Sequence, residues 1–170
     1  YSIPADFVGS VAFKAIADPD NAIVEKDENN NSAEIQASVS ETKIDLAISE
    51  KDMQIAPASF KGGDKITLKT KVANLGNTKV TNIKVDFYFA DDKIYTKTIS
   101  SLSPNSSSAI TYNYTVPLKL KGSVIFKAIV DSDNKIKEID EEKNNIAEMK
   151  VDIKEAEIDL SVSASDMKIT

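Results

Sequence analysis

The chain predicts an all-β fold: an immunoglobulin-like seven-stranded β-sandwich, tandemly repeated. Three observations predict it. Apolar residues alternate with lysine and threonine at period two along several segments, the mark of strands packed on one face and wet on the other. Turn residues punctuate those segments at regular spacing. And the sequence repeats itself at long range: Gly9-Ser10-Val11-Ala12-Phe13-Lys14-Ala15-Ile16 returns as Gly122-Ser123-Val124-Ile125-Phe126-Lys127-Ala128-Ile129. Asp18-Pro19-Asp20-Asn21 returns as Asp131-Ser132-Asp133-Asn134, and Tyr1-Ser2-Ile3-Pro4 as Tyr114-Thr115-Val116-Pro117. After a one-residue gap, Asn30-Asn31 matches Asn144-Asn145, Ile44-Asp45-Leu46 matches Ile158-Asp159-Leu160, and Asp52-Met53 matches Asp166-Met167. A fixed long period means copies of one unit.

The repeat sets the expected domains: 1–41 as the C-terminal part of a first repeat, 42–155 as a complete one, and 156–170 as the N-terminal strand of a further one. The chain so read is a window on a longer array, in which 42–155 folds alone. Within the complete unit Ile44-Asp45-Leu46 opens the fold. Ile66, Leu68, Thr70 and Val72 form one strand, and Ile83, Val85, Phe87 and Phe89 a second. A third covers Lys93 to Ser100. Ile110, Tyr112, Tyr114 and Val116 make a fourth. Val124 to Val130 is apolar on both phases apart from Lys127, which suits a central strand. Ile146 to Ile153 completes the set. The separators include Gly62-Gly63-Asp64, Asn74-Leu75-Gly76-Asn77, Ala90-Asp91-Asp92-Lys93 and Ser103-Pro104-Asn105; Gly supplies positive φ, while Asn and Asp bond their own backbone. The core must rest on aliphatic residues with Phe87, Phe89 and Phe126, since cysteine and tryptophan are absent. The joints, Ser40-Glu41-Thr42-Lys43 and Lys154-Glu155-Ala156-Glu157, are short and charged, so an array should bend little.

Composition excludes several functions. The net charge is −6 and every basic residue is lysine, which argues against nucleic acid. Without histidine or cysteine there is no imidazole or thiolate metal site, cysteine nucleophile or Ser-His triad. No apolar run in this window reaches the ~20 residues of a membrane span.

These residues resemble the CARDB family, the prokaryotic cell-adhesion-related domain. The resemblance rests on Ile44-Asp45-Leu46, Gly62-Gly63-Asp64-Lys65-Ile66, Val72-Ala73-Asn74-Leu75-Gly76-Asn77 and Val85-Asp86-Phe87-Tyr88. It is carried most specifically by Val130-Asp131-Ser132-Asp133-Asn134 through Glu138, Asp140, Glu141 and Asn144-Asn145. It implies a seven-stranded sandwich used in tandem in bacterial and archaeal surface or secreted proteins, with no catalytic residues. One departure is Asp91-Asp92-Lys93, where the third turn should read Asp-Gly.

The sharpest candidate site is the Asp-x-Asp-Asn loop. Asp131, Asp133, Asn134 and Glu138, and in the first copy Asp18, Asp20, Asn21 and Glu25, offer only hard oxygen ligands, which suit Ca²⁺. The plainer reading is a turn held by Asx bonds. This loop should lie at the unit's N-terminal end, beside Asn74-Leu75-Gly76-Asn77, where an ion could stiffen the joint near Glu41. Asn144-Asn145 could bridge two strands, or join a lysine in an isopeptide bond if one were buried there. Tyr88, Tyr112 and Tyr114 could stack on a sugar, though Tyr112 and Tyr114 share a strand phase with core residues. Asn30, Asn105 and Asn113 stand in glycosylation sequons. The expected function is a non-catalytic structural module of an extracellular, cell-surface stalk, sheath or filament. It requires no cofactor, with calcium the candidate ion, and its partners are neighbouring repeats joined end to end. The alternatives are a calcium-assisted adhesin module binding a surface glycan or protein, and the spacer of a secreted enzyme.

Overall fold

The computed structural model describes residues 2–4, 7–139 and 144–163. Tyr1, Asp140, Glu141 and the Asp166-Met167 copy lie outside the described residues. Contacts divide the chain into two units, Tyr1–Thr42 and Lys43–Thr170.

The first unit is a ribbon of two antiparallel strands, β1 (Gly9–Ile16) and β2 (Ser32–Val39). Phe13 lies opposite Ile35 and Ala15 opposite Ala33. Their side chains share one face, which is left open: Phe13 is 38% exposed and Ile35 69%.

The second unit is a sandwich of two sheets. One contains β3 (Leu46–Ile48), β4 (Gln54–Ala56), β5 (Lys65–Asn74) and β8 (Ser106–Thr115). The other runs β10–β9–β6–β7, from β6 (Val80–Phe89), β7 (Asp92–Leu102), β9 (Gly122–Val130) and β10 (Ile146–Ile153). All strand pairs are antiparallel. The expected strand of alternating Ile66 to Val72 is β5, which puts Ile66, Leu68, Thr70 and Val72 inside. The doubly apolar Val124–Val130 segment lies in β9, with a neighbour on each side. Phe126, Ala128 and Val130 are buried, while Ile125 remains partly exposed.

The first edge strand is longer in sequence than Ile44-Asp45-Leu46 suggests. It consists of two three-residue strands on the same edge of β5, interrupted by a single 3₁₀ turn at Glu50–Asp52. Met53, just after the turn, is buried and plugs the sandwich where the edge breaks. Such short pieces carry too little periodicity to be read from sequence.

The aromatic core forms around β6. Phe87 meets Phe126 edge-on at 5.4 Å and Tyr95 at 5.8 Å, an arrangement suited to ring quadrupoles. Tyr112 stacks on Tyr95 at 4.3 Å, and Tyr114 packs against Phe89, so both tyrosines serve packing. Asp86 breaks the period-two pattern. It lies on the off-beat, yet it is 3% exposed, because Lys93 and Thr96 of the neighbouring strand close over its carboxylate. At the far end of the sandwich Lys154 N–H donates to Phe60 O at 3.0 Å, and Lys61 and Lys154 form a parallel bridge.

The third turn is tighter than expected. Phe89 pairs with Asp92, leaving the two-residue loop Ala90-Asp91 with φ of 52° and 69°. Two successive left-handed residues are what the twist of a tight hairpin requires, and glycine normally occupies the second position. We expect Asp91→Gly to raise stability by about 1 kcal/mol by relieving the left-handed strain. Chemical denaturation of the two proteins checks it; an unchanged or lower midpoint would show that the aspartate sits there without strain.

Candidate functional site

The connection between β9 and β10 carries the predicted site residues, and the backbone explains its shape. Asp131 and Asn134 both have positive φ, 48° and 49°, a conformation Asp and Asn tolerate better than other non-glycine residues. Asn134 N–H donates to Asp131 O at 2.8 Å. The Asp131 carboxylate is buried and accepts from the Lys135 and Ile136 amides at 3.2 and 2.9 Å. It therefore shapes the loop. Asp133 lies between Lys135 at 3.1 Å and Lys84 at 3.9 Å. The hydrogen bond from Lys135, helped by the charges of both lysines, holds its carboxyl below the usual range against an opposing desolvation. Asn134 is exposed.

The first copy adopts the same turn. Asp18 and Asn21 have φ of 45° and 51°. Asn21 N–H donates to Asp18 O, and the Asp18 carboxylate accepts from Ala22 and Ile23 at 3.0 and 2.8 Å. Asp20, Asn21 and Glu25 are exposed. Among the described residues no three acidic side chains converge in an arrangement that could hold a metal ion.

Glu138 does something the sequence did not announce. It is 8% exposed, and its carboxylate accepts from the Leu46 amide at the start of β3 and from Asn145 Nδ2 at 2.9 Å. Beside it Asn144 Nδ2 donates to Asp45 Oδ1 at 2.9 Å, Ile48 N–H to Asn144 O at 2.9 Å, and Ile139 N–H to Ile44 O at 3.0 Å. The opening segment is held equally from its other side. Leu75 N–H donates to Asp45 O, Asn77 N–H to Lys43 O, and Lys43 N–H to Asn77 Oδ1. Gly76 is required there: a Cβ would lie 2.3 Å from Lys43 O. The loop thus does lie at the unit's N-terminal end, with the opening segment threaded between it and the Asn74–Asn77 turn. The asparagine side chains bond Asp45 and Glu138, both outside the strands, so they tie the opening segment and the loop together rather than bridging two strands. The sequence signal for this network was the recurrence of Ile-Asp-Leu and Asn-Asn in both copies.

The remaining candidates are scattered. Asn30 and Asn105 lie exposed in turns, the latter at φ 53°. Asn113 is exposed on β8 and accepts from Thr67 Oγ1 at 3.0 Å. Tyr88 takes Lys127 Nζ over its ring at 5.1 Å.

Burial raises the Glu138 carboxyl above its ordinary value. The Leu46 and Asn145 hydrogen bonds oppose the shift, and the Asp131 and Asp45 charges reinforce it. A raised folded value means that the folded protein binds this proton more tightly than the unfolded chain does. Its contribution is fully present below the ordinary glutamate range and is lost as pH rises through the folded value. We therefore expect wild type to lose stability relative to Glu138→Gln as pH rises through that window. Glu138→Ala, which strands the Leu46 and Asn145 donors, should cost about 1–3 kcal/mol per group. Urea unfolding of the three proteins across pH 4.5–7.5 checks both; parallel profiles for wild type and Glu138→Gln would refute the titration.

Comparison with known proteins places this geometry. The CARDB family model matches residues 43–148. A CARDB domain from Pyrococcus furiosus, solved in complex with di-metal ions, superimposes with a TM-score of 0.59 at 24% identity, over 69% of this chain and 100% of that one. A solution structure of the same archaeal domain gives 0.56 at 25% identity, over 67% and 98%. A domain of a Methanosarcina acetivorans protein taken to be a cell-surface protein gives 0.53 at 22% identity, over 67% and 95%. None of the curated proteins matches the chain. With the matched model covering most of the sandwich and its opening and closing motifs, the chain belongs to the CARDB family.

Proposed function

We propose that this chain is a structural module of an extracellular stalk, sheath or filament in which sandwiches follow one another in series. The observation that carries the reading is the equivalence of two ribbons. Phe13↔Ile35 and Ala15↔Ala33 in β1–β2 correspond residue for residue to Phe126↔Met149 and Ala128↔Ala147 in β9–β10. The bond from Ala17 N to Asn31 O repeats as Val130 N to Asn145 O. A chain carrying the closing hairpin of one sandwich directly before a complete second one is built for repetition. The short joint and the family's association with the cell surface support an extended extracellular array. Electron microscopy of the native full-length protein tests it: a regular rod or fibre is expected, and a compact particle holding a single sandwich would end the reading.

A calcium-assisted adhesin module is the second reading. Its support is a cleft beside Asp131 and Asn134, where Ser132 Oγ and Asn145 Oδ1 are buried without a hydrogen-bond partner. Such oxygens invite an ion or an ordered water. The resemblance to a metal-complexed archaeal domain adds weight. Binding only to the folded state would raise the melting temperature in proportion to ln(1 + [Ca²⁺]/Kd). The expected result is a higher midpoint in millimolar Ca²⁺ than in chelator, diminished in Asp133→Ala; coincident curves would leave the loop as a turn.

A further inference from the structure

Among the described residues β10 is an edge strand, paired with β9 and with no other strand. The bond from Val130 N to Asn145 O fixes which of its groups face β9. Bonded and non-bonded pairs alternate along an antiparallel ladder. Asn145, Ala147, Met149, Val151 and Ile153 therefore turn their N–H and C=O toward β9, and Ile146, Glu148, Lys150 and Asp152 turn theirs outward. The two ends of that outer edge are engaged: Asn144 O accepts from Ile48 N, and Lys154 N–H donates to Phe60 O. Between them the outward amides and carbonyls meet no partner among the described residues, and the four side chains are exposed. The space alongside is open. A groove of about 430 Å³ lies between β10 and β4, lined by Gln54, Ile55 and Phe60 on one side and Met149 and Val151 on the other.

Charged side chains usually protect such an edge from further pairing. Here the charges complement themselves. The free stretch runs from Ile146 to Asp152 and is centred on Met149. A second β10, antiparallel and related by a two-fold axis at Met149, places Ile146 opposite Asp152, Glu148 opposite Lys150, and Met149 opposite Met149. The four outward residues of each copy then all form bonded pairs, so every free amide and carbonyl of the edge is met. Glu148 of each copy faces Lys150 of the other. Cross-strand pairs of opposite charge stabilise a sheet, and like charges directly opposite destabilise it. A shift of two residues either way spoils the match. With the axis at Lys150, Lys150 faces itself and Glu148 meets Asp152; with the axis at Glu148, Glu148 faces itself. The β2 edge is a poorer mate, because Gln36 stands where β10 has Lys150 and one of the two charge pairs is lost.

We propose that the outer edge of β10 is a lateral interface, where a second copy of this chain joins the sheet in the register that puts Met149 on the two-fold axis. Two four-stranded sheets then form one of eight strands. The interface is isologous, the same patch on both copies. Main-chain bonds supply the affinity, and the Glu148–Lys150 pairs set the register. A contact of one strand edge is small, so the association is reversible and depends on concentration. It joins sandwiches side by side and needs no series of them, so it stands or falls separately from the stalk.

Two measurements on the full-length protein test the proposal. Sedimentation over a concentration series gives the association constants of wild type, Glu148→Lys and Lys150→Glu. Each reversal sets like charges against each other at both symmetric positions and should weaken association about tenfold or more. An equimolar mixture of the two variants restores both opposite-charge pairs and should associate as wild type does, a rescue that a folding defect cannot produce. The second measurement uses the absence of cysteine from this chain. The axis at Met149 brings two Cα atoms to about 4.5 Å in a non-bonded pair, within disulfide reach. Met149→Cys should therefore cross-link to itself under mild oxidation. Ala147→Cys, which would lie about 14 Å from its mate, should not. Protein that stays monomeric at millimolar concentration would overturn the proposal. Association that ignores the charge reversals would overturn it too. So would a link from Met149→Cys to Ile35→Cys in a mixed sample in place of the self-link, because the edge would then belong to β2.

Discussion

The buried carboxylate of Glu138 joins the two sheets of the sandwich at one end. It belongs to the connection of the β10–β9–β6–β7 sheet, and it accepts the first amide of β3, which belongs to the other. A three-residue strand cannot hold its register by ladder bonds alone. The opening segment is fixed instead by side-chain and backbone bonds from Glu138, Asn144 and Asn77. Leu46, the residue so positioned, is wholly buried. Hydrogen bonds to a charged acceptor are each worth roughly 1.5–3 kcal/mol, and an unmet buried donor costs a comparable amount. The arrangement therefore specifies where the fold begins as much as it stabilises it, and burial of the charge is the cost.

The Asp-x-Asp-Asn loop is the local device that makes this possible. Asp131 turns its carboxylate back on the Lys135 and Ile136 amides, sending the chain past Lys84 and returning Glu138 toward β3. Asp18 does the same with Ala22 and Ile23, so the turn forms from local sequence alone. The glutamate that follows is a different matter. Glu138 and Glu25 occupy equivalent places, yet one is buried and the other exposed. Burial at this position depends on an opening strand lying across it, whereas the turn does not.

Strand positions and the core were largely legible because they rest on periodicity: Ile66, Leu68, Ile83, Val85, Phe87 and Phe126 all lie inside as the alternation required. What periodicity could not show was anything dependent on contact between distant segments. Asp86 sits on the wet phase but is covered by a neighbouring strand. β4 is too short to alternate. Glu138 looked like an ion ligand because glutamate near aspartate invites that reading, while its acceptors' partners, Leu46 and Asn145, lie far from it or across a loop. Recurrent motifs marked the right residues, and their roles became apparent only when the opening segment was placed among them.

The bridge between Lys61 and Lys154 has a mechanical consequence. The polypeptide joins the sandwich at Lys43, beside the Glu138 network, and leaves after β10 at the opposite end, beside Phe60. Tension applied through the two termini therefore runs along the strands. Separating the first or last strand under such a load means sliding it lengthwise, so that many ladder bonds strain together, whereas a perpendicular pull would open them one after another. The rate of forced unfolding, which governs survival under load, is then set by a cooperative shear, and the Leu46–Glu138 bond stands at the point where the force arrives.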